Sequence, residues 1–239
     1  MTQTTLPRID VPRIDVPLTT ITFPEIALRV RDAHKLRGYF GNVFQEHSPL
    51  LHNHFEIEGA AEPRYRYAYP LVQYKVLGRV PTLVGMGEAA GLLVELFLKI
   101  NHLDIEGRGY PVLSKHISHQ QAVIGLSDDL HSYRFDTLWL GLNQKNFGEY
   151  KNAAAEDQPT ILKRTLTANI LTVCEAAGLN LTKEQRIMVK LNPTEPTVTK
   201  FKNVSFLGFG GTFTTNALLP DHLGLGKSVA RGFGSIVTI

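Results

Sequence analysis

The sequence predicts an α+β protein made of two units in series. Three observations carry that expectation. Strand and helix patterns follow one another in the order β-α-β-β-α through the first half of the chain. The pattern restarts after about residue 131, with helices and then strands. The last 42 residues hold seven of the 20 glycines (Gly208, Gly210, Gly211, Gly224, Gly226, Gly232 and Gly234), which suits turns and a close backbone approach to a ligand.

The chain opens on a tandem pentapeptide, Pro7-Arg-Ile-Asp-Val11 and Pro12-Arg-Ile-Asp-Val16, followed by Pro17. Prolines five residues apart forbid a helix and interrupt a central strand, so residues 1–17 read as an extended arm. Leu18 to Phe23 alternates with β-branched residues as a strand does. Ala33, Leu36, Phe40, Val43 and Phe44 recur at helical spacing, predicting a helix over about 32–46 with Asp32 as its cap, and Arg31 and Lys35 off its core face. Residues 47–64 have no period and read as a loop. Tyr65–Val76 and Val80–Met86 read as strands joined at Leu77-Gly78-Arg79, and Gly87–Ile100 as a second helix. This order lacks one strand of a ferredoxin-like unit, which Tyr110–Leu126 or Ser132–Leu142 can supply. Asn143–Lys151 and Thr160–Ala177 are helical, with Gly178 ending the second. Arg186–Leu191, Thr197–Asn203, Val204–Asn216 and Gly232–Thr238 are strand-like. The expected divisions are 1–17, 18–130 and 131–239.

The composition is that of a folding chain, with 43% hydrophobic and 20% charged residues among 239. Its net charge is +3 and its single cysteine, Cys174, excludes an intrachain disulfide framework. With neither a signal-peptide pattern nor a membrane-length apolar run, the expectation is a cytoplasmic protein without membrane association. The net charge is unevenly spread. Residues 29–79 carry eight basic side chains against five acids, and the last 42 carry Lys200, Lys202, Lys227 and Arg231 against Asp221. In 29–79 the basic residues, including Arg37, Arg64 and Arg66, alternate with eight of the 21 aromatics, among them Tyr65, Tyr67 and Tyr69. Rings for stacking beside cations for phosphates suit single-stranded or loop RNA.

Two local patterns carry chemistry. In Leu223-Gly-Leu-Gly-Lys-Ser228 glycines surround a lysine, as in a nucleotide-binding loop, but that pattern needs glycine where Asp221 stands. Glycines beside Lys227 and Arg231 suit instead a loop at a nucleic-acid backbone, its amides approaching phosphates while the side chains neutralise charge. In Leu51-His-Asn-His54 the imidazoles of His52 and His54 project the same way from an extended segment and can act on one phosphate. With Glu58 they also form a partial metal-ligand pattern, HxHxxxE. No clustered carboxylates suggest a two-metal nuclease.

Four segments together resemble one family. They are Lys35-Leu-Arg-Gly38; Leu51-His-Asn-His54 leading to Tyr67-Ala-Tyr-Pro-Leu-Val-Gln-Tyr-Lys75; Trp139-Leu-Gly-Leu-Asn143; and Pro220-Asp-His-Leu-Gly-Leu-Gly-Lys-Ser-Val-Ala-Arg-Gly-Phe-Gly234. In this order, over about residues 20–239, they are similar to the CRISPR-associated endoribonucleases of subtype b that process the repeat transcript, within the RAMP superfamily. The last segment looks like that superfamily's C-terminal glycine-rich loop. The resemblance implies two tandem ferredoxin-like (RRM-like) domains closed by such a loop. It also implies binding of CRISPR repeat RNA, and one metal-independent cleavage per repeat by the RNA's own 2′-hydroxyl, without a cofactor. It assigns proton transfer to His52 and His54, and to Tyr67 either orientation of the phosphate or assistance to proton transfer. RNA is then held by Arg37, Arg64 and Arg66, and by Gly224, Gly226, Lys227, Ser228, Arg231, Gly232 and Gly234. His47, His34 or Lys35 are substitutes within the catalytic set. Other subunits of an interference complex and a second copy of the chain are the further partners it suggests. Two other readings stay open, a catalytically silent RNA-binding subunit and a metal enzyme using His52, His54 and Glu58.

Overall fold

A computed structural model describes residues 11–43, 69–201 and 204–239. One antiparallel sheet runs through both halves of the chain, in the order β2-β3-β1-β6-β10-β7, with β11 beside β6. The strands are β1 (Arg13–Thr22), β2 (Val72–Leu77), β3 (Val80–Met86), β6 (His116–Phe135), β7 (Val189–Pro193), β10 (Gly211–Leu218) and β11 (Ile236–Thr238). Two small hairpins, β4–β5 (His102–Ile105, Arg108–Pro111) and β8–β9 (Thr197–Phe201, Val204–Gly208), lie outside this sheet.

The strand missing from the first unit is the opening half of β6, whose residues His116–Gly125 pair with Thr22–Arg13 of β1. With α1 (Ala33–Val43) and α2 (Glu88–Phe97), the order β6-β1-β3-β2 gives the ferredoxin-like arrangement. The closing half of β6 begins a second such unit. It pairs with β10 on one side and β11 on the other, giving β11-β6-β10-β7, with α3 (Gln144–Asn152) and α4 (Gln158–Ala176) between β6 and β7. The two segments expected as alternatives for one strand are thus joined in a single 20-residue strand, and residues 130 and 131 both lie inside it.

The elements follow from burial. In α1, Ala33, Leu36 and Phe40 are buried, and Phe40 stacks on Tyr74 at 5.7 Å between ring centroids. In α2, Ala89, Ala90, Leu93 and Leu96 face the sheet. In α4, Ile161, Leu162, Leu166, Ile170, Val173 and Cys174 do the same. The Asn143 side chain caps α3, accepting from the Asn146 N–H at 2.8 Å. Between β2 and β3, Gly78 and Arg79 both have positive φ, +52° and +73°, the geometry whose twist matches a two-residue hairpin.

Several boundaries differ from expectation. β1 begins at Arg13, so the second pentapeptide copy joins the sheet. Pro17 is tolerated there because its carbonyl accepts from Gly87 N at 2.9 Å. A strand residue's N and O leave on the same side, so the missing donor faces the end of β3 and not β6. Asp32 is no N-cap. It ends a 3-10 turn, Val30–Asp32, and its carboxylate accepts from the Arg29 N–H at 3.2 Å. Asp128 and Asp129 lie in β6, where the register against β10 shifts between Thr215 and Ala217. No helix among the described residues is long and apolar enough to cross a membrane.

At Gly125, β6 passes from one unit to the other. It pairs with both Arg13 and Leu218, has φ +149°, and leaves no room for a Cβ against the backbone of Pro12 and Arg13. Gly125→Ala is therefore expected to lower stability by about 2 kcal/mol or more, from strain and displacement together, seen as a lower urea midpoint. An unchanged midpoint would show that β1 yields freely at this crossing.

Candidate nucleic-acid interface

Between β10 and β11, where a ferredoxin-like unit has its second helix, the chain forms the glycine-rich loop and a single 3-10 turn, Val229–Arg231. The loop folds on itself, Leu225 N donating to Gly234 O at 2.9 Å and Ile236 N to Leu223 O at 3.1 Å. β2 and Tyr69, just ahead of it, hold one flank. Gly224 N donates to Gln73 Oε1 at 2.9 Å, Gln73 Nε2 to the Tyr69 hydroxyl at 2.8 Å, and that hydroxyl to Gly224 O at 2.8 Å. Residues 137–140 hold the other, accepting from Lys227 N and Gly234 N at 2.9 Å and from Ser235 N at 2.9 Å. The Gly232 N–H closes the 3-10 turn onto Val229 O at 3.2 Å. The N–H groups of Gly224, Lys227, Gly232 and Gly234 thus donate within the protein, and these four do not form the amide cradle expected for phosphates. The loop and its neighbours also offer an anion side chains.

Those side chains line a cleft of about 500 Å³, walled by residues 30–35, Thr137–Leu138, Thr199–Lys200 of β8 and Arg231–Phe233. Arg31, His34, Lys35, Lys200 and Arg231 bring positive or protonatable groups to it, against Asp32 alone. Arg37, half-buried on α1, lies within electrostatic range of Arg231. Burial holds the Arg231 guanidinium below its usual range and the like charge of Arg37 lowers it further. Burial likewise lowers Arg37, with Tyr74 opposing. Two like charges from different elements, held within electrostatic range where water is partly excluded, raise the local positive potential. His34 Nδ1 donates to Arg31 O at 2.7 Å, which makes Nε2 the acceptor nitrogen of the neutral ring.

Lys35 is differently engaged. Its ammonium pairs with Asp32 at 2.7 Å and Glu106 at 2.8 Å, and these bonds raise its pKa, so it serves poorly as a base. Lys227 is exposed, its Nζ 5.7 Å from the Phe206 ring centroid. Gly226 packs against the Trp139 indole, and Ser228 has φ +57°. His52, His54, Tyr67, Arg64, Arg66, His47 and Glu58 lie outside the described residues. Of the residues lining the cleft, His34 falls within reach of the sequence signal, since Arg31, His34 and Lys35 share one helix face by spacing. Lys200 does not, because only the tertiary fold brings the β8–β9 hairpin here.

Lys75 overturns its apparent role among the basic residues of the aromatic stretch. It is wholly buried on β2, and Gly232 of the loop sits beside its backbone. Burial pushes its pKa down to about 7, with Asp136 opposing. His222 nearby is also lowered, first by burial and then by Lys75, while Asp221 and Asp136 oppose.

Comparison with known proteins places these features. A family model for the Cas6b N-terminal domain matches residues 14–123, and one for the Cas6b C-terminal domain matches 125–239. A solved structure titled "Crystal structure of Cas6b" is 32% identical with a TM-score of 0.86, covering 95% of this chain and all of its own. A second, "Crystal structure of CRISPR RNA processing endoribonuclease Cas6b", is 30% identical at 0.74, with the same coverage. The uncharacterized protein MJ0978 of Methanocaldococcus jannaschii is 32% identical over 145 residues, 61% of this chain and 97% of that one. Solved Cas6 and RAMP proteins at 10–13% identity, with TM-scores of 0.53–0.57, share the fold alone.

Lys75 makes stability depend on pH with a definite sign. Its folded pKa, about 7, lies below the unfolded value of roughly 10.4. The unfolded chain therefore binds more protons between these limits, and stability rises with pH across them. Lys75→Met removes the penalty, so its stabilising effect in urea titrations is expected to be larger at pH 6 than at pH 9 by about 3 kcal/mol. Equal effects at both pH values would show that the ammonium is solvated in the fold.

Proposed function

The chain belongs to the Cas6b family, and from that premise we propose that it binds CRISPR repeat RNA and cuts the precursor transcript once within each repeat. The nucleophile is the 2′-hydroxyl of the RNA itself, and no metal takes part. The products are a 2′,3′-cyclic phosphate and a 5′-hydroxyl. The protein must then align the hydroxyl in line with the scissile P–O bond, accept its proton, protonate the leaving 5′-oxygen and offset charge on the phosphorane. His52 and His54 supply the two proton transfers, and Tyr67 orients the phosphate.

The observation that carries this reading is the cationic cleft beside the glycine-rich loop, to which Arg31, His34, Lys35, Lys200 and Arg231 bring positive or protonatable groups against Asp32 alone. A phosphodiester in that cleft meets several cations at once, and the charge growing on a phosphorane meets them more strongly. The solved relative titled as a CRISPR RNA processing endoribonuclease supports the substrate. Lys227, Arg64 and Arg66 hold the flanking RNA. His34, whose Nε2 can accept a proton beside the same cleft, joins His52 and His54 as a candidate for the base.

The test is incubation of the full chain with repeat RNA from the CRISPR array nearest its gene, in EDTA. Cleavage is expected to persist, to yield the cyclic phosphate, and to stop when the scissile nucleotide lacks its 2′-hydroxyl. His52→Ala and His54→Ala should each slow the single-turnover rate by about 10²–10⁴-fold, with His34→Ala between them and wild type. Abolition by EDTA, or cutting of the deoxy substrate, would refute the mechanism. Tight binding without any cutting would identify a silent RNA-binding subunit.

A further inference from the structure

We propose that a second groove, bearing Arg29, Arg31, Arg79, Arg108 and Tyr110, holds the single-stranded RNA that continues from the glycine-loop cleft, with one base stacked at Tyr110. The proposal rests on the RNA-binding reading above and extends its track.

The groove, about 650 Å³, is formed by the segment leading into α1, the Gly78-Arg79 turn and the β4–β5 hairpin. Its wall carries five cations, the four arginines and Lys35, against two acids, Asp32 and Glu106. Five minus two is +3, equal to the net charge of the entire chain. Both acids pair with Lys35. Among the described residues, no carboxylate lies within salt-bridge distance of the four guanidiniums. The fold thus gathers four like charges from three separate segments without a salt bridge among the described residues, at a cost in repulsion that an incoming polyanion removes.

The arginines are positioned by the backbone. Leu28 N donates to Arg79 O at 2.9 Å, tying the β2–β3 turn to the segment before α1. The Arg108 guanidinium lies 5.0 Å from the centroid of the Tyr110 ring. A guanidinium on a ring beside further arginines is a platform on which an unpaired base stacks while phosphates meet the arginines. Arg31, Asp32 and Lys35 line both this groove and the first cleft, so the two adjoin along these side chains and one strand can engage both. That continuity and the ring favour RNA over an acidic protein segment, which would need only the charges.

The test uses the full chain and repeat RNA made uncleavable by a 2′-deoxy scissile nucleotide, with affinity followed from 50 to 200 mM salt. The double variant Arg79→Ala/Arg108→Ala is expected to bind about tenfold or more weakly. Its plot of log affinity against log salt should be shallower by about 1.4, two single-strand phosphate contacts. Tyr110→Ala should lose roughly tenfold with an unchanged salt slope, and Tyr110→Phe should restore binding. Trimming the RNA from one end, and not the other, should erase both penalties. Wild-type affinity in the variants, or penalties that survive trimming from both ends, would overturn the groove assignment. Failure of the wild-type chain to bind repeat RNA would instead refute the underlying reading.

Discussion

Because β6 closes the sheet of the first unit and opens that of the second, neither unit has a complete set of backbone partners without the other. Residues 116–125 satisfy β1 and residues 125–135 satisfy β10 and β11, and unpaired strand edges in a buried sheet are costly. The relative placement of the halves is consequently set by hydrogen-bond register and not by docking of two finished surfaces. Gly125 is the point at which that register changes hands.

This rigid junction places the glycine-rich loop. With β11 locked against β6 and β10 on the opposite side, the connection between them crosses beside β2, where Gln73 and Tyr69 bind its backbone. Several of its amides donate within the protein, and its one helical turn is the short Val229–Arg231. It brings Arg231 within electrostatic range of Arg37, and Lys75 beneath it is held from water. The positive potential of the cleft is therefore a product of strand pairing, since no single segment of sequence contains both arginines.

Much of the first unit was legible. The apolar spacing of Ala33, Leu36 and Phe40, and the Leu77-Gly78-Arg79 turn between alternating runs, correspond to α1 and the β2–β3 hairpin, because each depends on contacts within a few residues. The continuity of β6 was not legible. Its bulge at Ser127–Leu130 places two aspartates in mid-strand, and locally these read as a break between elements. Asp32 looked like a cap because residue type and position allowed it, but the 3-10 turn ahead of the helix turned its carboxylate back to Arg29. Lys75 looked like an RNA contact because alternation alone cannot say whether the far face of a strand meets water or a loop 150 residues away.

Periodicity and local residue chemistry already carry the class of the fold, the order of most elements, and a basic, glycine-rich C-terminal segment whose motif points to one family. Pairing in three dimensions was needed to show that one strand serves both units, that Lys35 is engaged by Asp32 and Glu106, that Lys75 is buried, and that Arg31, His34, Lys200 and Arg231 share a cleft. Those outcomes depend on long-range pairing and desolvation, which bring together side chains whose neighbours in space are not their neighbours in the chain.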